Sequence, residues 1–303
     1  MQIAMIGLGK MGANMTVRLL NDGHSVVAFD LNESAIAEAE AAGATGARTL
    51  DEVVEKLASP RVVWVMVPAG KPTESTIQAL AEKLEAGDVI IDGGNSNFHN
   101  TMRRGETVEA KGIGFVDVGT SGGVWGLKEG YSMMVGGSDE SVAKVSPALE
   151  TLAPGPEQGW GHVGPVGSGH YVKMVHNGIE YGLMQAYAEG FALMRKRTEF
   201  NIDLAQVAQI WRYGSVVRSW LLDLTAEALE ENQDLEGIAP YVTDSGEGRW
   251  TVQEAIDQDL SAPVMTLALL QRLRSREEEG YTEKLLSAMR NKFGGHSIKA
   301  TQK

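Results

Sequence analysis

A chain of 303 residues with 43% hydrophobic side chains is long enough for two domains with proper cores. It has no cysteine, so disulfides and thiolate metal sites are excluded, and a reducing cytoplasm is the expected compartment. A formal charge of −13 argues against a nucleic-acid partner, and the absence of a run of about 18 apolar residues argues against a membrane span.

The first residues, MQIAMIGLG, form a short apolar run without a basic flank or a small-residue cleavage site, which reads as a buried strand and not as a signal peptide. GLGKMG follows, with Gly7, Gly9 and Gly12 in G-x-G-x-x-G spacing, then a helical stretch, then SVVAFD ending in Asp30. This is a βαβ unit of dinucleotide-binding length. Its glycines permit a tight turn, close approach to a pyrophosphate and helix–strand packing, while the helix N-terminus faces the phosphates. Leu8, Lys10 and Met11 complete the loop. A carboxylate at Asp30 accepts hydrogen bonds from a ribose 2′-hydroxyl and repels a 2′-phosphate, so NAD is expected over NADP.

The pattern then alternates: helix ESAIAEAEAAGA, strand RVVWVMV, helix ESTIQALAEKLEAG, strand DVIIDGGN, a helix around 101–111, then strands GIGFVDVG and YSMMVGG. Alternation of this kind predicts an α/β Rossmann domain with a doubly wound, mostly parallel sheet, whose ligands sit at the carboxyl ends of the strands. Three glycine-punctuated loops fall at those ends: Val67-Pro68-Ala69-Gly70, Gly93-Gly94-Asn95-Ser96 and Gly119-Thr120-Ser121-Gly122-Gly123. Asn95 and Ser121 are suited to hydrogen-bond a nicotinamide or a substrate hydroxyl, although the same residues also cap turns.

Between 154 and 169 the chain is rich in Gly and Pro, and beyond it strand signals disappear, so the expected division is 1–165 for the NAD-binding domain and 166–303 for an all-α domain. The helical readings there are the stretch to about Lys196, DLAQVAQIWRYGSVVRSWLLDLTAEAL, TVQEAIDQDL, APVMTLALLQRLRSREEE and YTEKLLSAMRNKF. The run GHYVKMVHNGIEYG concentrates reactive side chains. On a helix Lys173, His176, Asn177 and Glu180 share one side, and Lys173 and Glu180 lie nearly above one another, about 10 Å apart along the axis. Removal from water lowers an ammonium's pKa and raises a carboxyl's, so such a face can offer both a base and an acid. A wet polar face is the plainer alternative for each residue taken singly.

With its GSGHYVKMVHNGIEYGLMQAYAEGF run, the chain resembles the 6-phosphogluconate dehydrogenase family. GLGKMGANM, GGNS, GTSGG with GLKEGYSMMVGG, GEGRWT and MRNKFGGH are similar to further family segments in the same order, so the resemblance runs from residue 1 to about 296. Related 3-hydroxyacid dehydrogenases share the fingerprint, the SGG loop and a Lys followed four residues later by Asn. The Glu180-Tyr181 pair is what separates the two groups.

The resemblance implies oxidative decarboxylation of 6-phosphogluconate to ribulose 5-phosphate and CO2 without a metal, in the pentose phosphate pathway. Lys173 takes the 3-hydroxyl proton as hydride leaves C3, and Glu180 helps protonate C1 of the enediol. By the same resemblance Asn95, Ser121, Gly122, Gly123, His176, Asn177 and Tyr181 would line the sugar-acid site, and Thr120 is a further candidate. Arg274, Arg290 and His296 match the family's helix and tail residues. In long members that tail enters a neighbouring subunit's site, so a homodimer or homotetramer is implied.

Two departures qualify this. Long members are considerably longer and carry a phosphate-binding Lys where Ser245 stands; Lys128, Arg249 and Arg272 are candidates to replace it. NADP-using members place an Arg after the second strand and often a Lys at Pro68, whereas this chain has Asp30-Leu31-Asn32. A dehydrogenase of an unphosphorylated 3-hydroxy acid and a non-catalytic NAD-sensing protein are the alternative readings.

Overall fold

In a computed structural model describing residues 1–294 and 297–299, the opening apolar run is an inner strand of an eight-stranded sheet. The strands are β1 (Gln2–Ile6), β2 (Ser25–Phe29), β3 (Thr45–Ala47), β4 (Val62–Val65), β5 (Val89–Asp92), β6 (Gly114–Ser121), β7 (Ser132–Gly137) and β8 (Trp160–Gly164). Their order is β3-β2-β1-β4-β5-β6-β7-β8, parallel throughout except where β7 runs against β6. Between them run α1 (Lys10–Asn21), α2 (Glu33–Ala41), α3 (Leu50–Lys56), α4 (Lys71–Ala81), α5 (Phe98–Glu109), α6 (Gly126–Glu129) and α7 (Asp139–Leu152). The chain reverses its direction of winding between β1 and β4, and this is where a doubly wound sheet opens a crevice for ligand.

Side-chain alternation builds a core on each face. Ile3 and Met5 point to one side with Met15, Leu19, Trp64 and Ile91. Ala4 and Ile6 point to the other with Val63, Val65, Ile77, Leu80, Ile90 and Phe115. Register aligns Ile6, Phe29 and Val65, then Val65 with Asp92 and Asp92 with Asp117, so the loops that follow β1, β2, β4 and β5 leave the sheet at one level.

The loop after β5 is pinned by charge. Asp92 is fully buried and accepts from Ser96 Oγ at 2.9 Å and from Arg104 Nη1 at 3.1 Å. Arg104 reaches on to Glu74 at 2.7 Å, and Arg103 makes two further bonds to the same carboxylate. A carboxylate–guanidinium chain of this kind is satisfied at every buried atom it uses, which is what makes a buried charge tolerable.

Two compact units divide the chain, Met1–Asn177 and Gly178–Lys303, with the division inside α8 (Ser168–Lys196). The rest of the second unit comprises α9 (Leu204–Trp211), α10 (Trp220–Glu231), α11 (Glu247–Asp257), α12 (Pro263–Arg274) and α13 (Tyr281–Gly294), and among its described residues there is no strand. Phe191, Leu204, Ala208, Leu222, Ala226 and Leu229 form its buried cluster. The architecture is the expected one: a Rossmann-like, mostly parallel sheet followed by helices. No helix among the described residues is long and apolar enough to cross a membrane.

Some elements differ from the sequence reading. The Gly/Pro-rich stretch contains β8, an edge strand with two glycines and no buried residue, which therefore carries no hydrophobic pattern. The long helical reading beginning at Asp203 is two helices: the chain leaves α9 near Arg212, Gly214 adopts φ +73°, and Ser219 caps α10 by accepting from Leu222 N.

The Glu74 carboxyl is lowered from an ordinary 4.5 to about 2, first by its bond to Arg103 and then by Arg104, against an opposing effect of burial. Because the folded value is the depressed one, its stabilisation is complete above the ordinary value and is lost as pH falls through the interval down to about 2. Glu74→Gln should therefore lower the unfolding midpoint at neutral pH and lose less further stability than wild type between pH 4.5 and 2, as read by chemical denaturation across that interval.

Candidate active site

The glycine loop after β1 meets three different demands. Gly7 has φ +95°, and a Cβ there would lie 2.3 Å from Met66 O. A Cβ on Gly12 would lie 1.9 Å from Gly7 O, so only glycine lets α1 close on the turn. In front of Gly9 there is open space. The residue caps α1 without any side-chain bond, and the first turn carries no acidic residue, so the N-terminal N–H groups are presented to an anion. Lys10 is exposed at the first helical position, whereas Leu8 is buried in the core and Met11 packs against it.

Asp30 sits beside this loop. Leu8 N donates to Asp30 Oδ2 at 2.7 Å and Asn32 N donates to Oδ1 at 2.8 Å, which sets the carboxylate before any ligand arrives. Val67 is partly buried, while Pro68 and Ala69 are exposed, and Thr73 Oγ1 donates to Pro68 O at 3.0 Å to hold their turn. Asn95 is exposed; its neighbour Ser96, which the sequence left without a role, is buried and tied to Asp92 and Arg104. An uncapped helix end, an open Gly9 and a pre-set carboxylate fit a dinucleotide.

The reactive helix is seated on β6 by an acid and several glycines. Asp117, fully buried in β6, accepts from Gly167 N at 2.6 Å and from His170 N at 2.8 Å, capping the start of α8. His170 Nδ1 bonds Thr101 Oγ1 of α5 at 2.8 Å. A Cβ on Gly169 would lie 2.5 Å from Met134 O, and one on Gly119 would lie 2.4 Å from Lys173 Cβ. Lys173 thus rests on β6 itself, two residues before Ser121, and is only 5% exposed. Gly122 and Gly123 follow at φ +132° and +52°, with open space before Gly123. His176 Nδ1–H donates to Asn177 Oδ1 at 3.0 Å, and Asn177 is buried. The first unit therefore assembles Lys173, the Ser121–Gly123 loop and the dinucleotide loops.

In the second unit α8 carries Glu180, partly exposed, and Tyr181, buried. Tyr181 OH accepts from Ser245 N at 3.2 Å, and the Arg272 guanidinium lies 3.7 Å from its ring centroid. Arg272 also donates to Thr243 O at 2.9 Å. Arg274 turns instead to Glu277 at 3.0 Å and Glu283 at 2.9 Å. Arg249 pairs with Asp244 at 3.1 Å, and so does Arg276 at 2.7 Å, a residue that no motif singles out. Lys128 is exposed beside Glu129, Arg290 is exposed on α13, and His296 lies outside the described residues.

Gly12→Ala should destabilise the fold by about 1–3 kcal/mol through overpacking. Gly9→Ala, with extended backbone and empty space ahead, should leave the denaturation midpoint in place and weaken dinucleotide binding. Denaturant titration beside fluorescence titration with NAD separates the two effects.

Comparison with known proteins agrees with this layout. Residues 2–164 match the NAD binding domain of 6-phosphogluconate dehydrogenase, and residues 169–284 match the 6-phosphogluconate dehydrogenase C-terminal domain. An NAD(+)-dependent, decarboxylating 6-phosphogluconate dehydrogenase of Haloferax volcanii is 44% identical over 299 residues, covering 98% of each chain. A Bacillus subtilis enzyme of the same name is 37% identical over 91% of this chain and 62% of its own length. The Plasmodium falciparum 6-phosphogluconate dehydrogenase, solved apo, with NADP+ and with 6-phosphogluconate, superposes with a TM-score of 0.84 at 30% identity, covering 100% of this chain and 67% of that one. With both of its parts matched in order and a relative alike along nearly its whole length, the chain belongs to the 6-phosphogluconate dehydrogenase family.

Proposed function

We propose that this chain oxidises and decarboxylates 6-phosphogluconate to ribulose 5-phosphate and CO2, with NAD as the preferred acceptor and without a metal. The observation that carries the reading is Lys173, buried over Gly119 beside the Ser121–Gly123 loop, on the same continuous helix as Asn177, Glu180 and Tyr181.

The Gly7–Gly12 loop, the N-terminus of α1 and Asp30 would hold the dinucleotide. When bound, its nicotinamide supplies the acceptor for the hydride from C3. Lys173 takes the 3-hydroxyl proton as that carbon is oxidised. The resulting β-keto acid loses its carboxyl carbon as CO2, and protonated Lys173 gives its proton to the C3 oxygen that becomes negative, which leaves the enediol. Glu180 then delivers a proton to C1 of the enediol, and Lys173 recovers the enediol proton as the ketone forms. Base and acid stand seven residues apart on one helix, an axial rise of about 10 Å that suits groups serving different carbons of one extended substrate. Ser121, Gly122, Gly123, Asn95, His176 and Asn177 take the sugar-acid end, and Tyr181 with Arg272 takes the phosphoryl end.

Preference for NAD rests on Asp30, whose two oxygens are already held by backbone N–H groups and meet a 2′-phosphate with repulsion. A second copy of the chain is expected to cover apolar side chains that α13 leaves uncovered, among them Leu285, Leu286 and Met289. The cytoplasm is the proposed compartment. The second reading, an unphosphorylated 3-hydroxy acid, is favoured by Ser245 standing where a Lys is expected; Arg272 on Tyr181 speaks for the phosphorylated substrate.

Initial rates of nicotinamide reduction test this. NAD should support turnover of 6-phosphogluconate, gluconate should be a poor substrate, and Lys173→Ala should reduce kcat by about 10²–10⁴-fold. Folded protein inactive with 6-phosphogluconate and either cofactor would contradict the reading. Asp30→Ala should raise kcat/KM with NADP relative to NAD. Arg272→Ala should raise KM for 6-phosphogluconate more than Arg274→Ala does.

A further inference from the structure

The segment from Val242 to Ser245 is gripped by two arginines four residues apart, on α12 and the turn that closes it. Arg272 donates to Thr243 O at 2.9 Å. Arg276 donates Nε to Val242 O at 2.8 Å and Nη2 to Asp244 Oδ2 at 2.7 Å. Arg249 reaches the same carboxylate from α11, with Nε 3.1 Å from Oδ1 and Nη2 3.2 Å from Oδ2, and Gly246 N donates to Oδ1 at 2.9 Å.

At Asp244 two cations meet one anion. The Asp244 side chain is 5% exposed and carries one negative charge, yet two guanidinium groups share it. Arg272 pairs with no carboxylate among the described residues; it rests on the Tyr181 ring instead. Counted over Asp244, Arg249, Arg272 and Arg276 alone, this loop holds more positive than negative charge, and an incoming anion is the group that would meet it. The surplus borders Ser245, whose own N–H is already given to Tyr181 OH.

Resting on the function proposed above, we propose that Arg276, aimed by Asp244, supplies to the substrate's phosphoryl group the second cation that Ser245 lacks. Arg272 and Arg276 then present two guanidinium groups to one anion, and Asp244 is the residue that positions Arg276 without consuming the whole charge of the cluster. Each guanidinium retains N–H groups beyond those bonded to the loop, and a phosphoryl oxygen is their natural acceptor. The Asp244 carboxyl is held below its usual range, first by Arg249 and also by Arg276, so the clamp stays ionised at neutral pH.

Steady-state kinetics of wild type, Arg276→Gln and Arg276→Lys, with inorganic phosphate as competitive inhibitor, test the proposal. Gln keeps a donor for the loop and removes the charge; Lys keeps the charge. Arg276→Gln should raise KM for 6-phosphogluconate and the inhibition constant of phosphate in parallel, by about ten- to a hundredfold, with kcat little altered. Arg276→Lys should recover much of that loss. Equal behaviour of Gln and Lys, or a fall confined to kcat with phosphate inhibition unchanged, would reduce Arg276 to a loop anchor and overturn the proposal. Should wild type fail to turn over 6-phosphogluconate, the broader reading falls separately, and thermal stabilisation by inorganic phosphate reads the cradle alone. A rise that Arg276→Gln lacks supports it, and an equal rise in both refutes it.

Discussion

The buried carboxylate of Asp117 is the constraint on which the rest of this site depends. It stands in the middle of β6 and takes the N–H groups of Gly167 and His170, so the first turn of α8 finds its cap inside the sheet and not in solvent. Bonds from backbone N–H groups to a carboxylate are among the stronger ones, at roughly 1.5–3 kcal/mol each, and removing their acceptor would leave buried donors unmet. The cap works only because Gly119, Gly136 and Gly169 remove the side chains that would otherwise hold the helix away: Cβ atoms there would fall within 2.4–2.5 Å of Lys173, Asp117 or Met134. Capping and close approach act together on the same turn of helix, and Lys173 is the next polar residue along it.

Much of this was legible in the sequence, for reasons that can be named. Gly7, Gly9 and Gly12 are spaced by the backbone's own requirements, so their pattern survives without any knowledge of packing. Helix α8 declared itself because its polar residues recur at helical spacing among apolar ones. Strand β8 was silent because an edge strand with two glycines and no buried residue has no alternation to display. The break between α9 and α10 was hidden because apolar residues continue through it, and only Gly214 and the cap at Ser219 mark the turn.

The arginines of the second unit show where spacing stops being informative. The resemblance to the family's helix singles out Arg274, whose side chain meets Glu277 and Glu283, while Arg272 lies on Tyr181. One helix carries both residues, and a step of two positions turns about 200°, so the two side chains leave from nearly opposite faces. Arg276 had no motif to announce it, because its partner Asp244 lies in a loop thirty-two residues earlier. Partnership across a fold is invisible to spacing; it appears once the loop is closed.

The most direct test of the account is the ratio of CO2 released to nicotinamide reduced, measured with 6-phosphogluconate carrying ¹³C at C1 and NAD as acceptor. Oxidation at C3 followed by decarboxylation in the same site predicts one equivalent of labelled CO2 for each NADH. Reduction of NAD with the label retained in the product, or no reduction at all by folded protein, would contradict it.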